Sequence, residues 1–226
     1  MNSFLIKART LARKSGLLKL INRLRPKQPY EDKFHQALAA AVHTGDVVWD
    51  VGANVGLYTE MFCEWTGPTG MVVAFEPGRE SVAKIRERIP QCAWLRIEHA
   101  ALSDEDAVGT LVLAADSVNH RLESGADSHG VGADMVVIHR GDTVCKQLGR
   151  VPNVIKIDVE SFEEEVLKGL DQTLLAPELR SVLVEVHFGQ LEARGQANAP
   201  VRIEKMLRGN GFRTTWLDAS HLGAMR

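Results

Sequence analysis

The stretch Val47-Val48-Trp49-Asp50-Val51-Gly52-Ala53-Asn54-Val55-Gly56 constrains this chain more than any other. An apolar run ends in an acid, passes into a glycine-bearing turn, and gives way to apolar residues at helical spacing. A buried strand that feeds such a turn and helix is how a parallel α/β sheet brings a ligand to the carboxyl ends of its strands. The turn does not fit a dinucleotide. In a G-x-G-x-x-G turn opening at Gly52, Asn54 and Leu57 stand where the second and third glycines belong. Asp50 would also repel a pyrophosphate. A cofactor without phosphate, carrying a cationic sulfonium and ammonium, suits the turn better. S-adenosylmethionine (SAM) is that molecule, and Asp50, Gly52, Asn54 and Gly56 are the expected contacts. The plain alternative is a tight strand-to-helix turn with no ligand.

A second acid fits the same picture. Met71-Val72-Val73-Ala74-Phe75 reads as the next strand and ends at Glu76-Pro77. A carboxylate about twenty residues beyond a glycine turn is placed to accept hydrogen bonds from a ribose diol.

A third segment, Val154-Ile155-Lys156-Ile157-Asp158-Val159-Glu160, is followed by Glu163 and a run ending at Gly169. With the first turn (DVGANVG), the FEP after the second strand and Val184-Glu185-Val186-His187, it resembles the signature of FkbM-type SAM-dependent methyltransferases. The resemblance runs from about Asp46 to about Gly211 and is specific as a combination. It implies a class I methyltransferase fold and transfer of a methyl group from SAM to a hydroxyl oxygen of a sugar or polyketide-like molecule. Ser161 and Phe162 depart from the family's usual glycine and small residue, and both lie beside the expected pocket, where they bear on substrate identity.

At 226 residues and 45% apolar content, one α/β domain plus a modest extension can bury a sizeable core. The net charge of −2 gives no reason to expect nucleic acid as a partner. That near-neutrality hides an asymmetry: Lys7, Arg9, Arg13, Lys14, Lys19, Arg23, Arg25 and Lys27 precede Glu31 with no acid among them. Phe4, Ala8, Leu11 and Ala12 share one helical face, and Leu17, Leu20, Ile21 and Leu24 another, before Arg25-Pro26 ends the pattern. Residues 1–30 are therefore expected to form a basic amphipathic helical extension, with the methyltransferase domain over residues 31–226. The extension packs on the domain, lies on an anionic membrane through residues 1–27, or grips an anionic substrate. Cys63, Cys92 and Cys145 match no zinc or disulfide spacing. No run approaches a membrane span and no secretory signal is evident, so a cytoplasmic location is expected, peripheral to the inner membrane surface if the extension binds lipid.

Beyond Tyr30 strands and helices alternate, as a doubly wound, mostly parallel, seven-stranded Rossmann-like sheet requires. Helices are expected at residues 34–42, 57–65, 82–89, 163–169 and 201–208. Parallel strands are expected at 47–51, 71–75, 94–100, 154–158 and within 179–187, with a last strand at 212–217. Residues 108–114 and 135–139 read as an antiparallel pair, and 115–133 as a long irregular segment of the kind that serves as a lid.

Methyl transfer is an in-line displacement, and a sugar hydroxyl needs its proton removed. Asp158, at a strand end beside Asp50, faces either the SAM ammonium or the acceptor hydroxyl, or else caps the following helix. His187 ends the fifth strand and is a candidate base or substrate contact, with Glu185 on the same face to orient it. His120 is the rival base. Glu163, Glu164 and Glu165 read most simply as solvated acids of a helix's first turn. Ala101 and Leu102 are candidates to pack on the adenine, with Asp104 receiving its amine. Asp158, Glu160 and His187 have no spacing that demands a metal, and none is expected. Two rival readings are a catalytically silent SAM-fold scaffold and a nucleotide-dependent oxidoreductase.

Overall fold

The computed structural model describes residues 30–113, 120–123 and 133–226, and side chains for residues 33–109 and 134–226. The chain divides into two units, Met1–Lys33 and Phe34–Arg226. The amphipathic pattern of residues 4–24, its proposed membrane contact and most of the 115–133 segment lie outside the described residues. No helix among the described residues is long and apolar enough to cross a membrane.

Seven strands form the main sheet: β1 (Val47–Val51), β2 (Met71–Phe75), β3 (Leu95–Glu98), β8 (Val154–Ile157), β9 (Ser181–Glu185), β10 (Arg213–Trp216) and β11 (His221–Met225). Their order is β10-β11-β9-β8-β1-β2-β3, and only β11 runs against its neighbours. The seven-stranded, mostly parallel α/β sheet expected from the sequence is thus present. The helices are α1 (Tyr30–Ala41), α2 (Leu57–Thr66), α3 (Arg79–Arg88), α4 (Gly141–Leu148), α5 (Glu163–Lys168), α6 (Phe188–Ala193) and α7 (Ala199–Gly209).

Every residue of β1 is buried, because a central parallel strand is covered on both faces. The two-residue period then sorts its side chains. Val47, Trp49 and Val51 join Val73, Phe75, Ile155, Ile157, Val182 and Val184 in the larger core. Val48 joins Val72, Val154 and Leu183 on the opposite face, where Phe34 and Leu38 of α1 and Phe62 of α2 close the second core. Asp50 and Lys156 are in register on neighbouring strands and belong to this second face.

The segment expected as one strand at 94–100 divides in two. β3 stays in the main sheet, while β4 (Ala100–Ser103) enters a separate four-stranded sheet of order β4-β7-β5-β6. There β5 (Ala107–Leu113) pairs antiparallel with β6 (His120–Glu123) and β7 (Ala133–Arg140). The expected antiparallel pair is β5 and β7. Their partners were unreadable because β4 is too short for periodicity to mark.

The two sheets are joined at α4 and α5. A Cβ at Gly169, which follows α5, would lie 2.0 Å from the Ser103 carbonyl oxygen, so only glycine lets the helix end meet β4. Asp142, in the first turn of α4, accepts hydrogen bonds from the backbone N–H groups of Gln172 and Thr173 and from the Thr173 hydroxyl, at 3.0, 2.9 and 2.6 Å. Burial opposes ionisation there, but a hydrogen bond shared with Asp171, together with these donors, prevails and holds its carboxyl below the usual range. Asp142→Ala should therefore cost about 1–3 kcal/mol, read as a lower urea midpoint with unchanged slope.

Candidate active site

The turn after β1 is built on left-handed backbone. Gly52, Asn54 and Gly56 have φ of 79°, 50° and 82°, and asparagine tolerates this region better than most side chains. The N–H groups of Gly52 and Ala53 both donate to the Phe75 carbonyl, which ties the turn to the end of β2. Glu76, 4% exposed, completes the tie. Its two carboxylate oxygens accept from the N–H of Asn54 at 2.7 Å and of Gly78 at 2.8 Å. A Cβ on Gly52 would lie 1.8 Å from the backbone oxygen of Asp158. Glycine is required because the ends of β1 and β8 touch, and it brings Asp158 to the first turn.

Asp50 is fully buried. One of its oxygens is 2.9 Å from Lys156 Nζ and the other accepts the Thr59 hydroxyl at 2.6 Å. Lys156 Nζ also donates to the Gly52 carbonyl at 3.1 Å and lies 3.6 Å from an Asp158 oxygen. Burial opposes the ammonium, yet the Asp50 and Asp158 carboxylates outweigh it and raise its pKa. Asp50 has no surface open to solvent, and its two oxygens are taken up by Lys156 and by Thr59 of α2.

Beyond the ends of β8 and β9 lies a cluster of acids around one imidazole. His187 Nδ1 is 2.7 Å from Glu163 Oε1, which also accepts the Ser161 N–H at 3.0 Å. His187 Nε2 lies 3.5 Å from oxygens of both Asp158 and Glu160. Burial works against a charged ring, but the Glu163 hydrogen bond and the surrounding carboxylates prevail, and the His187 pKa is pushed up to about 9. Burial raises the pKa of Asp158, aided by Glu185, and burial likewise raises that of Glu160. Glu185 sits 3.4 Å from His221 Nε2, and His221 Nδ1 is 2.7 Å from Asp218. His221 also stacks on Phe34 at 4.1 Å.

The backbone across this cluster is strained. Glu160 and Ser161 have φ of 47° and 82°, which no β-carbon favours, and such residues collect at functional sites. This explains the usual glycine where Ser161 stands. Phe162 receives the guanidinium of Arg194 over its ring at 3.8 Å, and Arg194 donates to the Ser161 carbonyl, so that helix α6 braces the turn.

Asp158, Glu185 and His187 therefore come together, while Ala101 and Leu102 do not join them. Their side chains, 7% and 4% exposed, pack into two different apolar clusters, because β4 belongs to the second sheet. His120 has its backbone in β6, and its side chain lies outside the described residues. Glu163 and Glu164, expected as solvated, are buried at 0% and 5%. Glu163 turns inward to His187, and Arg202 of α7 covers Glu164 with contacts down to 2.6 Å. The exposed-first-turn expectation failed because α5 is covered by α6 and α7. Glu163 was read with the wrong environment and His221 was not singled out, since His187 and Glu185, their partners, lie on other elements.

Two substitutions test this construction. Gly52→Ala should destabilise by on the order of 3 kcal/mol or more, a fall in Tm of about 10 °C, because the β-carbon meets backbone. Lys156→Met should cost about 3–5 kcal/mol by leaving Asp50 buried without its counter-charge, measured by chemical denaturation.

Comparison with known proteins assigns this geometry. The family model for the methyltransferase FkbM domain matches residues 50–214. The chain is 26% identical over 214 residues to a 31-O-demethyl-FK506 methyltransferase, FkbM, of Streptomyces tacrolimicus, covering 81% of this chain and 78% of that one. It is 30% identical over 150 residues to the hexuronic acid methyltransferase AglP of Haloferax volcanii, covering 64% of this chain and 57% of that one. Among solved structures, an FkbM methyltransferase from Methylobacillus flagellatus has a TM-score of 0.53 at 13% identity, over 80% of this chain and 43% of that chain. A putative methyltransferase from Streptococcus mutans, solved with S-adenosylhomocysteine, has a TM-score of 0.54 at 11% identity, over 88% and 99%. The chain spans little more than half the length of AglP and less than half that of the solved FkbM chain. At these identities the solved structures speak for the fold, which is that of class I methyltransferases, and the family match over most of the chain is decisive: this chain belongs to the FkbM methyltransferase family.

Proposed function

We propose that the chain is a SAM-dependent O-methyltransferase acting on a hydroxyl of a sugar or polyketide-like acceptor. The observation that carries this is the charge of the sheet's ligand edge. Glu76, Asp158, Glu160 and Glu185 all lie there, whereas the buried lysine beside them is already held by Asp50. Such an edge suits a ligand bearing cationic ammonium and sulfonium groups and opposes a pyrophosphate. Family membership points the same way, as does the neighbour solved with S-adenosylhomocysteine. When bound, SAM supplies a methyl group on a positively charged sulfur, open to attack by an oxygen.

The chain's own residues would divide the work. Gly52, Asn54 and Gly56 keep the turn low against the cofactor, and Glu76, at the end of β2, is in our reading the carboxylate that meets the ribose hydroxyls. Asp158, pinned between Lys156 and His187, faces in our reading the acceptor hydroxyl. Glu160, Glu185 and His187 form the half-buried rim on which an acceptor hydroxyl would be oriented, and orientation alone can supply on the order of 7–11 kcal/mol. Acceptors named for the relatives, an FK506 precursor and a hexuronic acid, are polyhydroxylated molecules that such a rim can hydrogen-bond.

Calorimetric titration with SAM, S-adenosylhomocysteine and NAD tests the reading. Both adenosyl ligands should bind and NAD should not; binding of NAD alone would replace a methyltransferase by an oxidoreductase. Glu76→Gln should weaken SAM about 10–100-fold while the protein stays folded, the loss expected for a charged hydrogen-bond acceptor.

A further inference from the structure

We infer that Asp158, Glu185 and His187 form a site for one divalent metal ion. Each offers one ligand atom, and the three atoms lie within 4.8 Å of one another. Donors bound to a common ion at about 2.0–2.6 Å are separated by at most about 4–5 Å. The side chains would therefore close on an ion with little movement.

The imidazole is already set as a ligand. Its Nδ1 is occupied by Glu163 at 2.7 Å, so Nε2 is the nitrogen turned towards the acids. A buried carboxylate holding one ring nitrogen while the other meets a metal is the usual outer arrangement of a metal-bound histidine. The distances from Nε2 to Asp158 and Glu160, both 3.5 Å, are too long for good hydrogen bonds. Asp158, Glu185 and Nε2 thus ring a gap, with Glu160 beside it. Glu185 is held on its outer side by His221, itself fixed by Asp218, so a second relay aims the other carboxylate.

Charge points to a cation as well. Asp50, Asp158, Glu160, Glu163, Glu185 and Asp218 face only Lys156, His187 and His221 within this network. Glu163 is fully buried, and its Oε2 has no hydrogen-bond partner among the described residues, an independent sign that the cluster is short of positive charge.

Two carboxylates and an imidazole suit a first-row divalent ion such as Mn²⁺ better than Ca²⁺, whose ligands are oxygens. Three protein donors leave coordination positions open on the half-exposed side. The ion would polarise an acceptor hydroxyl there. That catalytic role rests on the methyltransferase reading above; metal binding itself does not.

The test is calorimetric titration of the EDTA-stripped, desalted chain with MnCl₂, with S-adenosylhomocysteine titrated in parallel. One Mn²⁺ per chain is expected at micromolar affinity. Glu185→Gln should weaken it at least about tenfold, and Glu163→Gln by about 10–100-fold through the lost hold on His187. Melting curves establish that each variant is folded. Absence of binding to the wild-type chain at millimolar Mn²⁺ overturns the site whatever the variants do, and so does undiminished affinity in a folded Glu185→Gln. S-adenosylhomocysteine binding without Mn²⁺ binding would remove the metal and leave the methyltransferase reading intact; the converse would do the reverse.

Discussion

The contact between Asp50 and Lys156 fixes more of this molecule than its size suggests. Two charges in register on the central strands are withdrawn from water, which costs several kcal/mol per ion unless geometry and extra hydrogen bonds compensate. Compensation comes from Thr59 on α2, from the Gly52 carbonyl and from Asp158. Each of these belongs to a different part of the ligand edge. The ammonium therefore acts as a pin through the first turn, the helix behind it and the end of β8. A hydrophobic pair in its place would fill the same volume but would fix neither the turn carbonyl nor Asp158.

A second consequence is electrostatic. Lys156 is held by Asp50 and, of the acids further out, lies 3.6 Å from Asp158. The acids at the ends of β8 and β9 face one another across a gap, with His187 as the cation between them. Strained backbone at Glu160 and Ser161 turns these groups inward, and Arg194 holds the strained turn closed from outside. Stability has been given up at that turn in return for geometry at the rim.

Much of the frame was legible in the chain because its signals are local. Apolar runs ending at Asp50, Glu76 and Asp158 mark three parallel strands of the sheet, and the spacing Val184 to His187 put Glu185 and His187 at one end of a fourth. What escaped was non-local. Nothing in Glu163-Glu164-Glu165 distinguishes an acid that turns inward from one that meets water; that depends on α6 and α7 arriving on top. The boundary at His99, where the chain leaves one sheet for another, has no turn signal. Ala101 and Leu102 read as an apolar lip, and their burial in two different clusters was not legible, since neither residue type tells which surface it covers.

The position of β11 has a consequence for the order in which the molecule is assembled. It is the last strand the ribosome delivers among those described, yet it lies inside the sheet between β9 and β10, antiparallel to both. Until residues 221–225 emerge, β9 presents an open edge and His221 is not there to hold Glu185. The nascent chain can thus complete the β1-β2-β8 half, with its glycine turn and buried ion pair, well before the acidic rim takes its final shape. The half with the glycine turn and the half with the acidic rim would mature in that sequence, and the intermediate between them would carry an unpaired strand edge.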